Sequence, residues 1–256
     1  LFALPVTLMG MVSPWAVRLA VSDVESAGKA AGRLYALSTA GSIVGSFLPA
    51  LVLVPLFGVR NTFIVVGVAF LLVSLLGWLG GWKAALPPAG AAMLMILPQG
   101  IVRPMDGLIY ETESLYHFIQ VVKEPFGKCP EAYHLYLNEG VGVHSVKCLT
   151  EQRETTGIWS YMAATPLWLD EPESMRDVLV IGLAGGTIAR HMLEAFPDAH
   201  VDGVEIDGEV VEVGKKWFDD ADPRITPIVM DGRIFLQATD NTYDLVMMDA
   251  YRQPYI

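Results

Sequence analysis

The chain has 256 residues, of which 53% are hydrophobic, with a mean hydropathy of +0.43 and a net charge of −11. This composition is too apolar for an ordinary soluble protein, and the acidic balance argues against nucleic-acid binding. The first 100 residues carry two acids and five bases, whereas all five histidines and most of the charge follow.

The first 100 residues contain long segments without charge. Residues 34–57 form one of 24 residues, which as a helix would cover about 36 Å. Residues 62–82 form a second, with Trp78 and Trp82 where an interfacial aromatic belt would fall. Residues 1–17 resemble the end of another helix, and residues 84–97 are short enough to span only marginally. We therefore expect transmembrane helices in an integral protein of the plasma membrane, in contact with lipid.

Small residues recur on the first of these segments. Gly41 and Gly45 form a small-xxx-small face that predicts a partner helix, although small residues are also common in membrane helices generally. The spacing of Gly10, Pro14, Arg18, Gly28, Arg33, Gly41, Gly45, Gly58 and Arg60 resembles a helix pair of major-facilitator-type transporters. No intramembrane acid or base marks a transport path, so we do not predict a transporter.

Residues 106–150 predict a small antiparallel β-domain. Residues 116–123, 133–138 and 143–148 alternate apolar and polar side chains, as strands with one covered face do. Glu139-Gly140 is a hairpin-turn candidate. We expect this domain to cap a nucleotide pocket.

Several side chains of this region have simple expected environments. Cys129 and Cys148 flank the hairpin and could approach one another, but two free thiols are the expectation. His134 and His144 lie on predicted adjacent strands and could form a pair, but solvated histidines are the expectation. The spacing of these side chains matches no metal site, and none is predicted.

The second half repeats a strand-then-acid or strand-then-glycine pattern four times. The stretches are residues 177–187 (DVLVIGLAGGT), 201–207 (VDGVEID), 228–232 (IVMDG) and 243–249 (YDLVMMD). Apolar strands alternating with helices predict an α/β doubly wound, Rossmann-like sheet whose ligand lies at the carboxyl ends of the strands.

The residues at those strand ends suit a nucleoside. Glycines allow a tight turn and a close backbone approach, and an acid about 20 residues later is placed to hold ribose hydroxyls. A strand-to-helix turn without a ligand would explain the glycines alone, but not the accompanying acids. The residues concerned are Gly182, Gly185, Gly186, Glu205, Asp231 and Asp249.

These stretches resemble the spermidine synthase family, within the class I S-adenosylmethionine-dependent transferases. The resemblance covers residues 108–256 and is most specific in residues 178–182, 204–207, 210–218, 222–225, 231–236 and 243–249. It implies that Glu205 holds the ribose, that Asp231 with Gly232 meets the adenine, and that Asp249 is the catalytic base. It also implies that His117, in the family's Tyr-Gln position, contacts the co-substrate, which is S-adenosylmethionine or its decarboxylated form.

The chain departs from the family's pattern on both the donor and the acceptor side. On the donor side, the loop at residues 182–186 is one residue shorter and lacks the aspartate that in the family contacts the donor's amino group. Arg252 stands where the family has a second acid, and Trp159-Ser-Tyr161 replaces an acidic stretch. Binding a dication without carboxylates costs several kcal/mol, so a standard diamine is not the expected acceptor.

Two further expectations concern the whole protein. The chain begins at Leu1 and stops just past the fourth sheet strand, so we expect a fragment in which the nucleotide-binding domain, residues 157–256, is incomplete. Arg18, Lys29 and Arg33 favour a cytoplasmic loop, which would place the globular domain outside if residues 84–97 span the bilayer. The need for a donor favours the cytoplasm, which is our expectation.

Three functions fit these observations. The first is a membrane-anchored, spermidine-synthase-like transferase. The second is methyl transfer on the same fold, favoured by the missing acids. The third is a non-catalytic structural or regulatory subunit of a membrane complex, with a vestigial nucleotide fold; Arg252 favours it, whereas Glu205, Asp231 and Asp249 oppose it.

Overall fold

The structure is a computed structural model of the 256-residue chain. It describes residues 3–21, 23–24, 26–76, 101–138, 140, 142–150, 157–218 and 222–250. The chain divides into two compact units, Leu1–Leu97 and Pro98–Ile256, and each is described by itself.

The N-terminal unit is helical. Its helices are α1 (Ala3–Ala20), α2 (Ala27–Leu48), a π-helical segment (Pro49–Leu53) and α3 (Val54–Leu76). The π segment begins at Pro49, which cannot donate an intrahelical hydrogen bond, and Gly58 breaks α3 with φ 74° and ψ 170°. Within the described residues, one helical stretch, Ala27–Val73, is long and apolar enough to cross a membrane.

The predicted spans correspond only partly to these helices. The span predicted at residues 34–57 begins earlier, at Ala27, and the one predicted at residues 62–82 lies in α3 as far as Leu76. Trp78, Trp82 and residues 84–97 lie outside the described residues. A Cβ added at Gly41 or Gly45 would meet no atom within 4 Å, so the helix partner remains a prediction.

The second unit begins with the small β-domain, an antiparallel sheet in the order β1-β2-β3-β4. Its strands are β1 (Leu108–Glu113), β2 (Phe118–Phe126), β3 (Cys129–Leu137) and β4 (Val143–Cys148). Ile119, Val121 and Leu135 line one face and pack in a buried cluster with Val210 and Phe218 of the following domain. The antiparallel prediction is therefore confirmed, and this sheet is fastened to its neighbour by apolar contact.

Two predictions for the β-domain were wrong. Cys129 and Cys148 form a disulfide, with Cα atoms 5.9 Å apart, because β3 and β4 pair with Ala132 opposite Cys148. His134 is 4% exposed rather than solvated, because its face is covered. Its ring lies 5.4 Å from that of Phe126, and its Nδ1 lies 3.1 Å from a carboxylate oxygen of Glu124.

The rest of the unit is an α/β domain. Helix α4 (Ile158–Ala163) and short 3₁₀ turns at Thr165–Trp168 and Pro172–Ser174 precede its sheet. The strands are β5 (Asp177–Ile181), β6 (His200–Glu205), β7 (Ile225–Val229) and β8 (Leu245–Met248), and the helices between them are α5 (Thr187–Ala195), α6 (Gly208–Trp217) and α7 (Gly232–Ala238).

The four strands are parallel, in the order β7-β6-β5-β8. The order reverses between β5 and β8, which is the position where a doubly wound sheet binds its ligand. Val178, Leu179 and Val180 of the central strand β5 are fully buried, because Met192 of α5 packs on one side and Phe235 of α7 on the other. The doubly wound prediction is confirmed for the strands that the structure describes.

Candidate functional site

Three predicted carboxylates lie at one edge of the parallel sheet. Val204 and Met248 both pair with Ile181, so the next residues, Glu205 and Asp249, flank Gly182 on either side. At about 4.8 Å per strand, their backbones are roughly 10 Å apart. Asp231 follows β7, whose last residue pairs with Glu205. The topology therefore brings together the acids that the sequence pattern selected.

The glycine loop between β5 and α5 is packed against the protein itself. Gly182 has φ +91°, and a Cβ there would lie 2.7 Å from the carbonyl oxygen of Asp249. A Cβ at Gly185 would lie 2.9 Å from that of Ser145. Gly186 is left-handed, with φ 76°, and precedes the first turn of α5. These glycines are thus required by the packing of the loop between β8 and β4.

Glu205 is 8% exposed, and each of its carboxylate oxygens accepts a backbone amide. Oε2 accepts the amide of Ala184 at 3.0 Å, and Oε1 accepts that of Asp207 at 3.2 Å. Burial raises the pKa of this carboxyl, and the two amides oppose that shift. A carboxylate has about four acceptor positions, so two remain for a ligand.

Asp207 connects the β-domain to this edge. It caps α6 by accepting the Glu209 amide at 3.0 Å, while Oδ2 lies 2.8 Å from Nδ1 of His117 and accepts the hydroxyl of Ser114. Burial acts to raise the pKa of Asp207, but hydrogen bonds from His117, Ser114 and the Glu209 amide leave it lowered. His117, predicted from its motif position, is therefore held next to the site. Asp207 was not among the predicted site residues, although an Asp before Gly-Glu is a helix-cap signal.

The two acids farther along the sheet differ in environment. Asp249 is partly buried, its pKa is raised by burial, and its side chain has no hydrogen-bond or ion-pair partner within the described part of the chain. Asp231 is exposed, and its Oδ1 caps α7 by accepting the amides of Arg233 at 2.8 Å and Ile234 at 3.1 Å. Gly232 begins that helix, where a Cβ would lie 2.6 Å from Ile181.

Arg190 of α5 is directed at the glycine loop and at the segments beside it. Its guanidinium donates to the carbonyls of Gly185 at 2.9 Å, Phe218 at 2.8 Å and Val146 at 2.6 Å. The hydroxyl of Ser145 accepts the Gly185 amide at 2.8 Å. Arg190 and Ser145 therefore fix the glycine loop to β4, and only the three-dimensional packing brings them together.

Comparison with known families gives a match over this domain. The family described as Spermine/spermidine synthase domain matches residues 158–255. Residues 158–255 are therefore similar to that domain. The glycine loop, the strand-end acids and the doubly wound sheet all lie within these residues.

Relatives of this domain include aminopropyltransferases and methyltransferases. "Probable polyamine aminopropyl transferase" of Bifidobacterium longum is 33% identical over 147 residues, which are 57% of this chain and 30% of that protein. "Polyamine aminopropyltransferase" of Vibrio vulnificus is 26% identical over 154 residues, 58% of this chain and 50% of that protein. "eEF1A lysine and N-terminal methyltransferase" of Xenopus laevis is 37% identical over 83 residues, 30% of this chain and 12% of that protein. The chain thus spans half or less of the length of these relatives.

Solved structures similar to the chain include the spermidine synthase of Thermotoga maritima. It is 21% identical with a TM-score of 0.44, and the match covers 57% of this chain and 47% of that one.

Within the described residues, no group of three His, Cys, Asp or Glu side chains could hold a metal ion. Arg252, one of the noted departures, lies outside the described residues.

Proposed function

We propose that the protein is a membrane-anchored, spermidine-synthase-like transferase that uses S-adenosylmethionine or its decarboxylated form as co-substrate. The observation that carries the proposal is the placement of Glu205 and Asp249 on either side of Gly182 inside a spermidine-synthase-like domain. One carboxylate is positioned for binding and the other for chemistry.

On the donor side, Glu205 accepts the ribose hydroxyls through the acceptor positions left by its two amide bonds. Asp231 lies one strand farther out and meets the adenine, with Gly232 beside it. His117 borders the site from the β-domain, where Asp207 fixes its orientation. The donor, when bound, supplies a carbon activated by its bond to a sulfonium.

On the acceptor side, Asp249 is the general base. The amine lone pair forms a bond to the activated carbon, the carbon–sulfur electrons return to sulfur, and Asp249 accepts the proton released by the new ammonium. Burial raises the pKa of Asp249, which makes its carboxylate a stronger base than a solvated one. A carboxylate next to the developing cation also stabilises it electrostatically.

The acceptor that we propose is not a standard diamine. The structure describes one candidate base, Asp249, on this side, and the sequence has Arg252 three residues later. A diamine needs a carboxylate for each of its ammonium groups, or a buried charge is left unpaired. Putrescine is therefore expected to be a poor substrate.

Methyl transfer is a second candidate on the same site. It is supported by similarity to the methyltransferase of Xenopus laevis, which shares 37% identity over 83 residues with this chain. In that case Asp249 would accept a proton from a different nucleophile, and Glu205 would keep its role.

A non-catalytic subunit is the third candidate, and the Cys129–Cys148 disulfide favours it. Disulfides persist in oxidising compartments and are rare in the cytosol, whereas a donor made in the cytosol would not reach a domain outside it. We propose that the helical stretch Ala27–Val73 is the membrane anchor. The protein is therefore expected to require detergent for extraction from the membrane. Mass spectrometry of alkylated peptides from intact cells reports the state of both cysteines. If both cysteines are found as reduced thiols in cells, the disulfide of the structure does not form there and the domain is cytoplasmic; if they remain bonded, the subunit is favoured.

The test of function is a transfer assay on the full chain in detergent. The decarboxylated donor is supplied with a panel of mono-, di- and polyamines, and S-adenosylmethionine with the same acceptors. Release of methylthioadenosine identifies aminopropyl transfer, and S-adenosylhomocysteine identifies methyl transfer. Putrescine turnover in the ordinary enzyme range, about 1–10³ per second, would contradict the proposed acceptor class, and no product with any acceptor would favour the subunit.

A further inference from the structure

All five backbone amides of the glycine loop already have acceptors inside the protein. The amides of Gly182 and Leu183 donate to the carbonyl of Val204 at 2.8 and 3.2 Å. That of Ala184 donates to Glu205 at 3.0 Å, and that of Gly185 donates to the Ser145 hydroxyl at 2.8 Å. Gly186 donates to Leu183 at 2.9 Å. A loop that holds an anion must direct its amides at the ligand, and this one directs them inward.

The first turn of α5 is also closed to a ligand. Thr187, Ile188 and Ala189 are 1%, 4% and 0% exposed, so their amides do not face solvent. The Thr187 side chain accepts the Val146 amide at 2.9 Å and donates to the Val146 carbonyl at 3.0 Å, which seals this turn against β4. The positive end of the helix dipole is thus covered by the protein.

The loop side chains offer no charge. Residues 182–186 contain three glycines, Leu183 and Ala184. Leu183 is 3% exposed and occupies the space where Gly203 lacks a Cβ. Among the residues that the structure describes, the charged groups at this edge are instead the strand-end acids Glu205, Asp207, Asp231 and Asp249, with His117 paired to Asp207.

From these contacts we infer that the loop recognises the nucleoside alone and makes no hydrogen bond or ion pair with the substituent at its 5′ carbon. The inference rests on the proposed function and narrows its ligand class. A 5′-phosphate finds no free amide in this loop and, among the residues that the structure describes, faces carboxylates, so nucleotides are expected to bind weakly. An amine tail gains nothing from the loop, so a thioether nucleoside without a tail binds about as tightly as one with it.

The test is calorimetry on the full chain in detergent, with three ligands. They are methylthioadenosine, adenosine 5′-monophosphate and decarboxylated S-adenosylhomocysteine, a neutral thioether with an aminopropyl tail. The monophosphate is expected to bind at least about tenfold more weakly than methylthioadenosine, and the tailed thioether within about fivefold of it. Asp249→Asn shows whether Asp249 or the loop binds the amine of the tail. If the tailed thioether binds more tightly than methylthioadenosine in wild type but not in Asp249→Asn, the added affinity comes from Asp249.

Two results would overturn the inference. One is equal affinity for the monophosphate and methylthioadenosine. The other is an affinity for the tailed thioether more than about tenfold above that for methylthioadenosine that is still present in Asp249→Asn. Failure of all three ligands to bind would instead refute the proposed function on which the inference rests.

A loop variant supplies the positive control. Ala184 has φ +49°, a conformation that Asp tolerates, so Ala184→Asp adds the missing charge with little strain. It is expected to favour the tailed thioether over methylthioadenosine by about tenfold, the scale of a hydrogen bond to a charged group. Asn241→Asp adds the same carboxylate before β8, at the opposite edge of the sheet, and is expected to leave the ratio unchanged. If the ratio of the two dissociation constants in Ala184→Asp equals the wild-type ratio, that result would count against the inference. If Ala184→Asp binds neither ligand, the wild-type ratios decide.

Discussion

Glu205 and Asp249 occupy the same register position on either side of β5, yet their surroundings differ. Glu205 is 8% exposed, accepts two backbone amides and lies beside Asp207, which has three further partners of its own. Asp249 is partly buried and, among the described residues, its carboxylate accepts no hydrogen bond. Burial raises the pKa of both, but only Glu205 has amides that oppose the shift.

This difference suits Glu205 to ligand binding and Asp249 to proton transfer. A carboxylate fixed by amides keeps one orientation and provides the remaining lone pairs at defined positions, as a binding group requires. A partly buried carboxylate without donors keeps its basicity for a proton in transit. Substitutions at the two positions should therefore have different signatures.

The largest effect is expected from Asp249→Asn. The amide cannot accept the proton, so the transfer rate should fall by about 10²–10⁴-fold, while the dissociation constant of methylthioadenosine stays within about twofold. Rapid-quench assays with saturating donor measure the first, and calorimetry measures the second. A rate within about fivefold of wild type would remove Asp249 from the chemistry.

Asp207→Ala should cost the next largest amount. It removes a helix cap together with the bonds to His117 and Ser114, and we expect the free energy of unfolding to fall by about 2–4 kcal/mol. Asp231→Ala is the matched control, because it removes an exposed cap that has no further side-chain partner among the described residues, and it should cost about 1 kcal/mol. Denaturant unfolding in detergent compares them, and equal losses would show that the link to the β-domain contributes nothing.

Glu205→Ala should weaken donor binding by about 1–3 kcal/mol, the scale of losing a charged hydrogen-bond partner. Calorimetry with methylthioadenosine measures the change, and Glu212→Ala, whose side chain is exposed on α6, serves as a surface control. Equal affinities for methylthioadenosine in wild type and Glu205→Ala would show that Glu205 does not bind the ribose.

The smallest effect concerns the pH dependence of stability. Because burial raises the folded-state pKa of Asp249, the folded protein binds more protons than the unfolded chain between the two pKa values. Stability is therefore lost as pH rises through the raised pKa. Asp249→Asn should melt above wild type at pH 7, and the difference should vanish below the ordinary carboxyl range. A constant difference at all pH values would contradict this assignment.

The sequence predicted the parts of the site that depend on local pattern. Alternating apolar strands that end in glycine or acid identified β5 to β8 and placed Glu205, Asp231 and Asp249 at one edge, because parallel strands share their carboxyl ends. The contacts that join distant segments were not predictable. Arg190 bonds carbonyls in three segments, and His134 is covered by a ring from a neighbouring strand.

The cysteines illustrate the same limit. Their positions at the start of one strand and the end of the next allowed either thiols or a disulfide, and only the pairing of β3 with β4 brings their Cα atoms to 5.9 Å. The helical unit was likewise predicted from composition, whereas the break at Gly58 reflects a backbone conformation that hydropathy does not encode.

The central claim is that the edge formed by Glu205, Gly182 and Asp249 binds an adenosine thioether. An experimental structure of the full chain with methylthioadenosine tests it most directly. The account predicts ribose hydroxyls on the carboxylate of Glu205, adenine beside Asp231 and the sulfur on the Asp249 side of Gly182, with the loop amides still bonded to the protein. A ligand bound elsewhere, or a saturating ligand that leaves this edge empty, would contradict it.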